Sequence, residues 1–148
     1  MQATPIEDRF ALQDLMTAYC YAVDDLEDLE ALLDLFTDDA VLDFSAIGLP
    51  AMEGKETFRG FYESVFADMT HHTHYLSNFR IDSFGGDTAA LRAYAEGLGR
   101  SKDGNTVHVH VRYRMNAART GEGWKISRYE IHPGMPMPGS LEEIHGER

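Results

Sequence analysis

Apolar positions in the first part of the chain recur at helical spacing. Leu12, Leu15, Met16, Tyr19 and Val23 project onto one face of a 3.6-residue period. The pattern predicts a helix to about Val23. Its start is Thr4-Pro5-Ile6-Glu7, with Thr4 and Glu7 as a capping box and Pro5 as the first helical residue. Tyr19 then faces the core, Tyr21 points to the opposite side, and Asp24 and Asp25 fall where the helix ends. Leu29, Leu32, Leu33 and Phe36 predict a shorter second helix, capped by Asp28 and broken by Thr37-Asp38-Asp39. Ala40 to Ser45 alternates as a strand, with Leu42 and Phe44 on one face and Val41, Asp43 and Ser45 on the other. Gly48-Leu49-Pro50 is a turn, and a short edge segment follows it. A third helix, Gly54 to Asp68, carries a wide face of Phe58, Phe61, Tyr62, Val65 and Phe66.

From about His72 the period changes to two. Strands are predicted over His72 to Phe84, Thr88 to about Gly99, Thr106 to Thr120, and Trp124 to about Ile131. Gly85-Gly86-Asp87, Lys102-Asp103-Gly104-Asn105 and Gly121-Glu122-Gly123 separate them as hairpin turns. The third of these strands alternates Val107, Val109, Val111 and Tyr113 against His108, His110, Arg112 and Arg114. Helices early and hairpin-linked strands late imply an α+β fold with helices on one face of a curved antiparallel sheet. After His132, Pro133, Pro136 and Pro138 prevent regular pairing, so residues 133–148 read as a Pro/Gly-containing C-terminal arm on a single domain, residues 1–132. Ser140 to Arg148 is polar.

Charge narrows the partners. The formal net charge is −12, with 25 acidic against 13 basic residues. Nucleic acid needs a concentrated basic surface, and anionic membranes gain nothing from this balance. No apolar run is long enough to span a bilayer, and the N-terminus has no signal pattern, which together suggest a cytoplasmic protein. Cys20 is the single cysteine, so an intramolecular disulfide and a cysteine-rich zinc site are both ruled out. It reads as a small helix residue.

Three of the seven histidines lie within His71-His72-Thr73-His74. Histidine exchanges protons near neutral pH, and a carboxylate beside it fixes its tautomer. Asp24 can bend from the first helix end toward the interior that Tyr19 faces. If the strand near His74 packs there, a carboxylate–imidazole pair forms. Asp24 as a solvated helix-terminal carboxylate, Tyr19 as a core tyrosine and His74 as a strand histidine stay open as alternatives. His71 and His72 read as loop residues at the strand start. His108 and His110 share a strand face and could ligate a metal with His132 or a carboxylate. The outer sheet face, meeting solvent or another subunit, is the better reading, because the valines make the better inward face. No metal site is therefore assigned.

The segments Ala11-Leu12-Gln13-Asp14-Leu15, Tyr19, Ala22-Val23-Asp24, Leu35-Phe36-Thr37-Asp38-Asp39-Ala40, Thr73-His74-Tyr75-Leu76-Ser77-Asn78 and Gly123-Trp124-Lys125-Ile126-Ser127-Arg128 resemble the SnoaL-like part of the nuclear transport factor 2-like superfamily. The resemblance covers roughly residues 5–132. It implies a cone-shaped curved sheet with three helices on its concave side, a cystatin-like α+β barrel. Within the superfamily the chain is most similar to the scytalone dehydratase, bile-acid 7α-dehydratase and hexachlorocyclohexane dehydrochlorinase families. That similarity implies a cofactor-independent lyase whose dyad is Asp24 and His74, with Tyr19 polarising the substrate or leaving oxygen. An isomerase using the same dyad, or a small-molecule-binding or assembly protein on the same fold, is the alternative. Tyr94, on the second long strand, becomes a candidate pocket residue. Leu15, Met16, Phe58 and Tyr62 would wall a pocket for a small hydrophobic or ring-containing molecule. A homodimer or homotrimer is expected.

Overall fold

The computed structural model describes residues 3–137. Helix α1 spans Ile6–Asp25 and buries the predicted stripe: Leu12, Leu15, Met16, Tyr19 and Val23, with Cys20 beside them. The capping box does not form. Pro5 stands one position before the helix with no side-chain cap, while Glu7 and Asp8 place negative charge in the first turn, where the helix dipole favours it. The turn ends at Leu26, in the left-handed region at φ 60°.

Helix α2, Leu29–Leu33, is capped by Asp28, whose side chain accepts from the Ala31 N–H. It stops three residues short of the predicted end. Phe36 instead opens strand β1, Phe36–Asp43, and pairs with Ile126 on the last strand. The Ile126 N–H donates to the Leu35 carbonyl at 2.8 Å. Backbone pairing here overrides helical periodicity, and Phe36 is buried all the same. A short 3-10 turn, Ser45–Ile47, then β2, Met52–Glu53, lead into α3, Lys55–Asp68.

The sheet comprises β3 (Met69–Phe84), β4 (Thr88–Ser101), β5 (Thr106–Thr120) and β6 (Gly123–Pro133) with β1 and β2, in the order β2-β1-β6-β5-β4-β3. All neighbours are antiparallel except β1 and β6. The predicted barrel is an open cone, since β2 and β3 remain as edges. Strand β3 shifts register between Ser77 and Arg80, where Asn78 adopts φ 57°. Such a bulge bends the strand and curves the sheet. The sheet begins earlier than its sequence pattern suggests, so His71 and His72 belong to β3 and are not loop residues. Pro133 still pairs with Val111, and the Gly134 and Met135 N–H groups donate to the His110 carbonyl, so the predicted arm starts docked on β5. The polar segment Ser140 to Arg148 lies outside the described residues.

The concave face collects the core. Leu91, Ala93 and Ala95 of β4, with Tyr113, Met115 and Ala117 of β5, meet Phe58 and Tyr62 of α3 and the α1 stripe. At the N-terminal end of α1, Asp8 accepts from Arg119 and from the Trp124 indole N–H, fastening the helix to the β5–β6 hairpin. Among the described residues no helix is long and apolar enough to cross a membrane.

Candidate active site

Asp24 occupies the last turn of α1, at the negative end of the helix dipole, where a carboxylate is locally disfavoured. Strand β3 lies beside that helix end and compensates. Asp24 Oδ1 is 2.6 Å from His74 Nδ1, and Asp24 Oδ2 accepts from the His74 backbone N–H at 2.9 Å. Both carboxylate oxygens thus hold one residue, by its ring and by its backbone. An ionised carboxylate only accepts, so Nδ1 carries a proton, and in the neutral imidazole the lone pair is then on Nε2. The His74 side chain is 14% exposed and that of Asp24 22%, which leaves the pair sheltered and still within reach of solvent.

His72 completes the joint. Its Nδ1 donates to the Val23 carbonyl at 3.0 Å, satisfying an acceptor that the helix terminus leaves unpaired. Its ring meets that of His74 edge-on, with centroids 4.9 Å apart. Burial, followed by the neighbouring His74, pulls the His72 pKa below the usual 6.5, against the raising effect of the Val23 carbonyl. Two β4 glycines make room for both rings. A Cβ on Gly97 would sit 3.1 Å from His74 Cδ2 and Nε2, and one on Gly99 would sit 3.1 Å from His72 Cδ2. Nε2 of His74 therefore lies across Gly97, next to Val109, on the concave face.

Accessibility along that face changes at this point. Val111, Tyr113, Met115 and Ala117 of β5 are buried, whereas Val107 and Val109 keep part of their surface open, as do His72, His74 and Leu76 of β3. The cone is filled at depth and open at the dyad's end. On the flank between α1 and β3, a concavity of about 340 Å³ is bordered by Thr17, Cys20, Asp24 and His74. Burial, and then the charge of Asp24, pushes the Cys20 thiol up to about 12, so it stays protonated and is no nucleophile.

The other expected site residues lie elsewhere. Tyr19 is buried, with its hydroxyl 2.9 Å from that of Tyr62 rather than directed at the dyad. Burial raises the pKa of both, with the Tyr62 ring adding to the effect on Tyr19. Leu15, Met16, Phe58 and Tyr62 are exposed by 6%, 0%, 0% and 1%, so no water-sized space opens against the last three and almost none against Leu15. They are packed core in this structure and do not line the concavity. Tyr94 points away from the cone: it sits between inward-facing Ala93 and Ala95, is 47% exposed, and carries the Arg112 guanidinium 3.7 Å above its ring. Sequence reasoning passed over His72, Gly97 and Gly99. The alternation of His72 with His74, facing a Gly-x-Gly on the next strand, is the signal that could have found them.

Among the described residues, two groups could supply three metal ligands each, Asp24 with His72 and His74, and Glu96 with His108 and His110. In the first, Asp24 is already engaged twice by His74.

Residues 4–130 match the SnoaL-like domain family. A protein from Novosphingobium aromaticivorans, provisionally named an aromatic ring hydroxylase, is 50% identical, with a TM-score of 0.89 over 91% of this chain and 94% of that one. A second protein from that organism, provisionally named a scytalone dehydratase, is 21% identical, with a TM-score of 0.80 over 88% and 86% of the two chains. A hexachlorocyclohexane dehydrochlorinase from Novosphingobium barchaimii is 21% identical, with a TM-score of 0.75 over 90% and 92%. These last two share the fold. No curated protein matches the chain significantly.

Proposed function

The chain belongs to the SnoaL-like family, and from that premise we propose that it is a cofactor-independent lyase of the dehydratase type, in which the Asp24–His74 pair removes a proton from carbon. One observation carries this reading: both Asp24 oxygens are committed to His74. A carboxylate used that way fixes the tautomer, aims Nε2 at the concave face and stabilises the imidazolium once the proton arrives. His74 Nε2 takes a proton from a carbon next to an activating group. The C–H electrons become the new double bond, and the leaving group departs from the adjacent carbon with its own electron pair. When the leaving group is hydroxide, the imidazolium returns the proton and water is released. General-base catalysis of this kind is typically worth about 10²–10⁴-fold.

The open end of the cone, with Val109 beside the ring and the half-buried Val107 further along the same face, suits a small apolar substrate. The aromatic ring in the name of the 50% identical relative supports a ring-containing molecule. Tyr19, held by Tyr62, is assigned to the wall behind the site rather than to the reacting atoms. An isomerase would share the first step and return the proton to a different carbon.

The test is a panel of cyclic β-hydroxy carbonyl compounds and halides, assayed for loss of water or halide. With a substrate that the wild type converts, His74→Ala and Asp24→Asn each lose turnover while keeping the wild-type circular dichroism. Wild-type activity in either variant removes the dyad from the mechanism.

A further inference from the structure

On the convex face of the sheet, away from the dyad, β4 and β5 bring a second set of donors together. His108 and His110 are two residues apart on β5 and project from the same face. Glu96 of β4 is directly opposite His110, and Leu98 is opposite His108. The Glu96 carboxylate meets both rings: its Oε2 lies 2.5 Å from His108 Nε2 and 3.9 Å from His110 Nε2. The two imidazoles are tilted by 39°, with centroids 4.9 Å apart, so their Nε2 atoms converge on one oxygen.

The surroundings leave this carboxylate to the histidines. The convex face is rich in arginine, yet Arg112, the next residue of β5 on that face, is stacked on Tyr94. Arg80 and Arg92 turn to Asp82. Among the described residues the only basic groups within ion-pair distance of Glu96 are His108 and His110.

We infer that Glu96, His108 and His110 form a binding site for a divalent first-row transition metal such as Zn²⁺. Zinc–nitrogen and zinc–oxygen bonds are about 2.0–2.2 Å, which places neighbouring ligand atoms about 3–3.5 Å apart in a tetrahedral site. The observed 2.5 and 3.9 Å bracket that spacing, and all three side chains are at least 39% exposed, so rotation about their own bonds brings them into register. Two imidazoles and a carboxylate suit zinc, nickel, cobalt, copper or ferrous iron far better than calcium or magnesium. The backbone register is fixed by an antiparallel ladder, which holds the ligand stems rigidly. Three protein ligands leave at least one coordination position open to solvent on this face.

Calorimetric titration of tag-free, chelator-stripped protein with ZnCl₂ tests the site, with Co²⁺ absorption reporting coordination geometry. One equivalent should bind to the wild type and give a tetrahedral or five-coordinate cobalt spectrum. Binding should be lost in Glu96→Gln and in His110→Asn, both melting like the wild type in metal-free buffer, and retained in His72→Gln, which removes a donor of the Asp24 cluster. No saturable binding by the wild type, binding that survives both convex-face substitutions, or loss in His72→Gln overturns the assignment.

Discussion

At Gly97 the absence of a side chain positions the site. An added methyl carbon would sit 3.1 Å from His74 Nε2 and 3.2 Å from Val109 Cγ2, tighter than ordinary contact. The ring would have to move by tenths of an ångström, against a carboxylate contact of 2.6 Å. Gly97→Ala should cut kcat roughly tenfold, since misplacement by about 1 Å can cost 10²-fold. Overpacking should also cost about 1–3 kcal/mol in denaturant unfolding. Gly121→Ala, with no atom within 4 Å of the added carbon, is the control and should change neither. Equal kcat values in the two variants would separate ring position from catalysis. Spacing could nominate His74 and Asp24, but not this glycine: its meaning comes from the pairing of His74 with Gly97, which only strand register supplies.

The joint between α1 and β3 is the element on which the site depends. A carboxylate at a helix C-terminus violates a local preference. The strand offsets this with two bonds to Asp24, and His72 caps the Val23 carbonyl. Burial depresses the His72 pKa, so the unfolded chain takes up this proton near pH 6.5 while the folded protein does so only at lower pH. The unfolded state then binds more protons through that window, and stability falls as pH drops below about 6.5. His72→Gln can still donate to Val23 but cannot titrate, so its melting temperature should fall less steeply over that window. An unchanged slope would assign the pH dependence to other groups. Alternation and turn glycines made the last four strands legible, because each depends on neighbours in sequence. The end of α2 and the start of β3 were not, because Phe36 and His71 are drawn into strands by distant partners, Ile126 and Arg100.

Across the whole molecule, the cone is closed at depth by four tyrosines. Tyr19, Tyr62, Tyr113 and Tyr129 are buried, and the Tyr19 ring meets those of the other three edge-on. The Tyr129 hydroxyl lies near those of Tyr19 and Tyr113 but meets neither in hydrogen-bond geometry. Tyr129→Phe should therefore be neutral or stabilising. Tyr62→Phe strands the Tyr19 hydroxyl and should cost about 1–3 kcal/mol in urea unfolding. Equal losses in both variants would contradict this account of the core. The sequence pattern identified Tyr19, Tyr62 and Tyr113 as inward-facing or aromatic-rich, and left Tyr129 unassigned, without showing that the four fill the interior. Burial of that kind is a property of packed volume, and periodicity records only direction. The same limit explains Tyr94, whose strand was clear but whose face was not. It also explains why a pocket expected along α3 is replaced by an opening at the dyad's end.

His74, held by Asp24, is proposed to take a proton from carbon. The most direct measurement is deuterium uptake from D₂O, followed by NMR, into a ring-containing carbon acid that the wild type is shown to bind. The wild type should show uptake at the carbon next to the activating group. His74→Ala and Asp24→Asn should lose catalysed uptake while still binding the compound. Binding without exchange in the wild type, or equal exchange in the wild type and His74→Ala, would contradict it.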